Sequence, residues 1–124
     1  MLFHGKPFVS SAGIPLPFKI ECDHLKDTDL ETLAAYAAKK LPDFGTVTGV
    51  PRGGDRLAHF FRKYEKPYST RLLIVDDVWT TGKNMLYYSS RIVVGDDWIG
   101  CVLFERREGD RPPDNVFSIF KMNL

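Results

Sequence analysis

Apolar residues recur along this chain in two periods, and their alternation lays out the elements. Leu30, Leu33, Ala34, Ala37, Ala38 and Leu41 keep the three-and-four spacing of one helical face. Thr28-Asp29-Leu30-Glu31 at their head reads as a capping box, Lys39 and Lys40 complement the helix dipole, and Pro42 stops the helix. Thr46-Val47-Thr48-Gly49-Val50 then reads as a short buried strand. Leu57, Ala58, Phe61 and Tyr64 form a second helical stripe, with Arg62, Lys63 and Lys66 as its solvated end. Residues 72–75 are a continuous apolar run, a strand that ends in Asp76-Asp77. Residues 83–91 predict a short helix that turns Met85, Leu86 and Tyr88 or Ser89 toward a sheet. Gly95-Asp96-Asp97 reads as a turn, residues 98–104 as a strand, 109–113 as a Pro-rich connection, and 115–121 as the last strand. Strand and helix alternate, which predicts an α/β domain with a mostly parallel, twisted sheet flanked by helices. Residues 1–24 carry no helical period, and Pro7, Pro15 and Pro17 with Gly5 and Gly13 enforce turns and short strands there. The expected organisation is one domain, with a core over residues 25–124 and an arm over 1–24.

Composition narrows the partners more than the fold. A chain of 124 residues with 44% apolar residues, 27% charged residues and a formal charge of +1 is an ordinary globular domain. That balance gives no reason to expect nucleic acid or a membrane as partner, so any basic site must be local. Cys22 and Cys101 form no Cys-x-x-Cys pair and read as two buried thiols in a reducing cytoplasm. Residues 1–8 lack an apolar stretch of signal-peptide length and no run approaches a membrane span, which predicts a cytoplasmic protein.

The candidate chemistry lies at two strand-to-helix junctions. After the run Leu72-Leu73-Ile74-Val75 come Asp76-Asp77-Val78-Trp79-Thr80-Thr81-Gly82-Lys83-Asn84, where a turn into a helix points backbone N–H groups and two hydroxyls at one place. A phosphate suits those donors. A carboxylate beside a phosphate is repulsive unless something separates them, and sugar hydroxyls with a divalent cation would do so, since ionised carboxylates accept from vicinal diols and favour positive charge. A phosphorylated sugar with Mg²⁺ is therefore the expected ligand class. At the second junction, Pro51-Arg52-Gly53-Gly54, two glycines allow amides to turn inward and Arg52 can clamp an oxyanion through two N–H groups. Asp96-Asp97 lacks a following Thr-Thr-Gly and is no second sugar site. Glu105-Arg106-Arg107-Glu108-Gly109, a charged stretch after a strand, sits at the same end of the sheet.

The apolar run followed by Asp76-Asp77-Val78, one residue and Thr80-Thr81-Gly82 resembles the phosphoribosyl-pyrophosphate (PRPP) motif of type I phosphoribosyltransferases. The resemblance implies their Rossmann-like fold with a small N-terminal hood. It implies that Asp76 and Asp77 hold the ribose hydroxyls and meet metal only through Mg-PRPP, and that Thr80, Thr81, Gly82, Lys83 and Asn84 cradle the 5′-phosphate. Residues 50–54 resemble the pyrophosphate loop of these enzymes, so Pro51, Arg52 and the amides of Gly53 and Gly54 would take the diphosphate. Asp76, Asp77 and Arg52 would then be the catalytic set. Residues 8–21 resemble the opening of orotate phosphoribosyltransferases, which places Phe18 and Lys19 in a hood at the base. Glu105-Arg106-Arg107-Glu108-Gly109 resembles their Asp-Arg-x-Glu-Gly, in which Arg106 would meet the base and favour an orotate-like pyrimidine. The products implied are a nucleoside 5′-monophosphate and pyrophosphate, and the assembly implied is a homodimer. Those enzymes place a helix and a strand between the two motifs and carry a mobile lid with Arg-Lys-x-x-Lys. Here residues 54–72 hold one helix and a turn, which makes a non-catalytic PRPP or nucleotide sensor the alternative.

Overall fold

The computed structural model describes residues 3–4, 8–10, 15–16, 19–20, 25–92, 97–106 and 112–123, and of residues 3–20 and 122–123 the backbone alone. Helix α1 (Asp27–Lys40) buries Leu30, Ala34 and Ala37, as its periodicity predicts. Its start lies ahead of the expected capping box. Lys26 is the N-cap and donates its N–H to Asp29 Oδ2 at 3.0 Å, while Thr28 is already in the first turn and its carbonyl accepts from Thr32 Oγ1 at 2.9 Å. Leu25 and Leu30, both buried in the same cluster, staple the entry and draw the helix start back to them. Glu31 instead accepts from Lys63 Nζ at 3.2 Å.

The arm contributes four short strands, β1 (Phe3–His4), β2 (Phe8–Ser10), β3 (Pro15–Leu16) and β4 (Lys19–Ile20). The core contributes β5 (Thr46–Gly49), helix α2 (Gly53–Phe61) with a 3-10 turn at Arg62–Tyr64, β6 (Leu72–Trp79), helix α3 (Lys83–Ile92), β7 (Trp98–Arg106) and β8 (Val116–Asn123). The main sheet has the order β3-β2-β8-β7-β6-β5, in which β5, β6, β7 and β8 are parallel. Strand β2 joins β8 antiparallel and β3 folds back on it, so half of the arm extends the sheet; β1 and β4 form a separate antiparallel pair. Strands β6, β7 and β8 each run two residues past the predicted ends, because all three continue one ladder together.

Helices flank this sheet on both faces. Leu57, Ala58 and Phe61 of α2 pack with α1 on Val47, Leu73, Val75 and Cys101, whereas Met85 of α3 packs with Val50, Ile74 and Val102. Of the residues expected to turn α3 inward, Met85 and Ser89 are buried and Leu86 is exposed, since a ten-residue helix with one buried stripe has no room for a third row. The buried Cys101 thiol is free, and burial pushes its pKa up; Cys22 lies outside the described residues. At the outer edge of β5, Val47 N–H donates to Glu65 Oε2 at 2.9 Å, which occupies a group that another chain would otherwise pair with.

Two irregularities shape the site. First, the pairing omits Asp77, Leu103 and Ile119, and beyond that level the inward-facing positions shift by one: Val78 and Phe104 pack on the α2 side, Trp79 on the α3 side. An extra residue in each of three neighbouring strands changes which face every later side chain meets. Second, β5, β6 and β7 lie side by side in chain order while α2 and α3 lie on opposite faces. Crossovers that step the same way over opposite faces have opposite hands, so one of the two is the rare left-handed form. No helix among the described residues is long and apolar enough to cross a membrane.

The first turn of α2 lies directly on the sheet. A Cβ on Gly54 would stand 2.2 Å from the Val75 carbonyl oxygen, and one on Gly49 would stand 2.4 Å from the Gly54 backbone. Gly54→Ala is therefore expected to destabilise the fold by about 1–3 kcal/mol through overpacking, read as a lower urea midpoint. Met85→Ala, which deletes a buried side chain on the other face, should cost about 2–5 kcal/mol.

Candidate active site

Strand β6 runs past both carboxylates to Trp79, where a strand ending at them was expected, because β7 pairs with it as far as Glu105. Asp76 Oδ1 accepts the Asp77 N–H at 2.8 Å, and Asp77 Oδ1 accepts the Val78 N–H at 2.8 Å. Each carboxylate takes the amide of the next residue, at the level where the strand pairing is interrupted. Asp76 is only 5% exposed and Asp77 is half-buried. Burial first, then the hydrogen bond and charge of Asp77, raise the Asp76 carboxyl to about 8, against the pull of the Asp77 amide in the other direction. Asp76 thus holds its proton at neutral pH until cations or hydroxyls approach it.

The loop after β6 turns at Gly82, whose φ of 81° lies in the left-handed region that favours glycine. A Cβ there would also stand 2.2 Å from the Trp79 ring, so glycine is required twice over. Gly82 O accepts the Leu86 N–H at 3.0 Å and opens α3, while Lys83 N–H reaches Thr81 Oγ1 at 3.4 Å. The first-turn amides, among them those of Lys83 and Asn84, have no intrahelical acceptor and carry the positive end of the helix dipole. Thr81, Lys83 and Asn84 are exposed, Thr80 is half-buried and Gly82 is buried, so the expected phosphate-binding residues span an open loop and the first turn of α3.

The loop after β5 contains a cis peptide between Pro51 and Arg52. The Gly54 N–H donates to Val50 O at 2.9 Å and the Asp55 N–H to Arg52 O at 3.1 Å. Of the two amides expected at a diphosphate, that of Gly54 is therefore spent inside the loop. Gly53 lies against Asp77, for a Cβ on it would stand 2.4 Å from Asp77 Oδ2. The two junctions meet here. Arg52, Gly53 and Asp77 line one cavity of about 490 Å³ with Leu30, Arg56, Leu57 and Leu103. Leu30, Arg56, Leu57 and Leu103 carry no motif. The only signal for Arg56 is a basic residue one helical turn after Arg52, and nothing local marks the three leucines as lining a site.

Glu105 and Arg106 are the last residues of β7, where a charged stretch after the strand was expected. Glu105 is 6% exposed and accepts Ser118 Oγ–H at 2.8 Å, a buried contact between neighbouring strands. Arg106 is half-buried and is not among the residues that line the cavity at Asp77. Phe18 and residues 107–109 lie outside the described residues, and of Lys19 only the backbone, paired in β4, is described. Among the described residues no group of three or more His, Cys, Asp or Glu could hold a metal ion by itself. No protein-family model matches the chain, and no curated protein matches it.

The raised Asp76 carboxyl ties stability to pH. Its pKa is about 8 folded, against about 3.9 in an unfolded chain. Between those values the folded state holds a proton that the unfolded state lacks, so this group's contribution falls as pH rises from about 4 to about 8. Asp76→Asn is expected to flatten that slope and to raise stability at pH 8 by up to about 5 kcal/mol, with little effect at pH 4. Denaturant titrations at the two pH values check this.

Proposed function

We propose that the chain is a shortened phosphoribosyltransferase with the type I fold, which binds PRPP at the two junctions and passes its phosphoribosyl group to a nucleobase. The observation that carries this reading is the meeting of the junctions: Asp77 stands against Gly53 while the open Thr80–Asn84 turn follows on the same strand. On this reading the first turn of α3 with Thr80, Thr81, Lys83 and Asn84 holds the 5′-phosphate, Asp76 and Asp77 accept the ribose hydroxyls, and Arg52 takes the diphosphate with the Gly53 amide. Mg²⁺ fits here as a partner of the ligand, because two adjacent carboxyl groups fall short of a full coordination set. When bound it neutralises the diphosphate. The rest is done by the chain. As the C1–O bond breaks, its electron pair leaves with the diphosphate and the sugar becomes oxocarbenium-like; the carboxylates stabilise that cation and Arg52 the leaving anion. The lone pair of the base nitrogen forms the new bond to C1, and the proton on that nitrogen passes to water. The acceptor expected from Arg106 is an acidic pyrimidine, and the setting is cytoplasmic, with a homodimer as the assembly.

The backbone path supports a shortened member of that family. With α3 crossing right-handed, a strand outside β5 would let α2 step outward in the right-handed sense; without it, α2 must return to β6 with the opposite hand. A second reading, a PRPP or nucleotide sensor, is favoured by the same feature, because residues 62–71 hold a 3-10 turn and a short connection where a lid would lie.

Incubation with PRPP, Mg²⁺ and a panel of bases, with pyrophosphate release measured beside PRPP binding, separates the two. Release with one base is the expected outcome, and Asp76→Asn or Asp77→Asn should lower it by roughly 10²–10³. Binding without release for every base would leave the sensor, and no binding would end both readings. Because ribose hydroxyls donate to an ionised carboxylate, PRPP affinity should rise about tenfold or more between pH 6 and pH 8, measured by calorimetry.

A further inference from the structure

We infer that Arg56 is a second diphosphate-binding residue, which supplies from α2 the cation that a mobile lid would otherwise bring to the leaving group. The inference rests on the reading above for the identity of the ligand, and goes beyond it in a residue that no motif marks. Arg56 lines the cavity of about 490 Å³ together with Arg52, Gly53 and Asp77. In that lining only Arg52, Arg56 and Asp77 carry charge, and Asp77 is the group given to the sugar. Two guanidinium groups remain for an anion. Arg52 is the N-cap of α2 and Arg56 follows four residues on, a spacing that sets side chains on the same side of a helix. A pair of forks so placed suits an anion with two phosphate groups better than a single phosphate.

The guanidinium of Arg56 is already fixed in place. It donates through Nε at 3.2 Å and Nη2 at 2.8 Å to Asp27 Oδ1, so the first residue of α1 holds one edge of the fork. Its Nη1 makes no hydrogen bond among the described residues and can donate to phosphate oxygens while Asp27 keeps the other edge. With side chains 44% and 74% exposed, this ion pair adds little to stability, and its main consequence is the aim of the guanidinium. The basic residues beyond α2 do not take this role. Arg62, Lys63 and Lys66 are absent from the cavity lining, and Lys63 Nζ is turned to Glu31 Oε1 at 3.2 Å. As the C1–O bond breaks, charge grows on the diphosphate oxygens and the Arg56 N–H groups bind them more strongly, while the proton stays on the guanidinium.

Calorimetry on the full chain with pyrophosphate, ribose 5-phosphate and PRPP, each with Mg²⁺, tests this in wild type, Arg56→Gln and Arg56→Lys. Arg56→Gln should weaken pyrophosphate and PRPP about tenfold or more, the worth of a hydrogen bond to a charged group, while ribose 5-phosphate stays within about twofold. Arg56→Lys, which keeps the charge and loses the fork, should recover part of that loss. Circular dichroism of both variants establishes that they fold. Equal pyrophosphate affinity in wild type and Arg56→Gln, an equal loss for ribose 5-phosphate and pyrophosphate, or no pyrophosphate bound at all would each overturn the inference. Pyrophosphate binding that depends on Arg56, with neither ribose 5-phosphate nor PRPP bound, would uphold the role of Arg56 and refute the phosphoribosyltransferase reading. PRPP bound equally by wild type and Arg56→Gln would do the reverse, so the two failures are distinct.

Discussion

The contact on which the site depends is the seating of the first turn of α2 upon β5 and β6. Gly49, Gly53 and Gly54 leave no side chain between helix and sheet, and the Val50 carbonyl takes the Gly54 amide so that the loop folds tightly over the strand end. That closeness brings Arg52 and Gly53 to Asp77, two segments well separated in sequence. A side chain at any of these glycines would lift the helix and part them. Burial of Leu57, Ala58 and Phe61 against α1 and the sheet supplies the force that holds α2 down.

The carboxylate pair follows from that seating. Asp77 cannot turn away from the sheet end while Gly53 lies over it, and Asp76 is enclosed by the ladder of β6 and β7. Burial there, with the hydrogen bond and charge of Asp77 behind it, is why Asp76 holds its proton to about pH 8. The arrangement is poor for stability and suited to binding hydroxyls or cations. Buried groups of this kind mark functional sites because packing alone would replace them with apolar residues.

The opposed hands of the two crossovers bear on what kind of machine this is. A parallel sheet wound over both faces normally reverses direction where its helices change face, and this one does not. The short return from α2 to β6 leaves β5 as an edge, and Glu65 from that same return covers it. An enzyme built this way must exclude water by its arm or by a partner, and a sensor need not exclude it at all.

Much of the fold was legible in residue pattern. The stripe of Leu30, Ala34 and Ala37, the apolar run before Asp76, and the turn at Gly82 each state a local preference that the tertiary structure obeys. What pattern could not determine were features that depend on neighbours. The start of α1 moved because Leu25 and Leu30 bury together, and Leu86 stayed exposed because only one row of α3 meets the sheet. Glu105 became a buried partner of Ser118 instead of a surface charge because β8 runs beside it. By itself the sequence determined where strands give way to helices and which residues stand at those junctions, since period and turn chemistry are local. Only the tertiary structure decided that Asp77 meets Gly53, that the Gly54 amide is spent within its loop, and that Arg56 and three leucines share a cavity with them. Those are contacts across the chain, set by how closely α2 can approach the sheet.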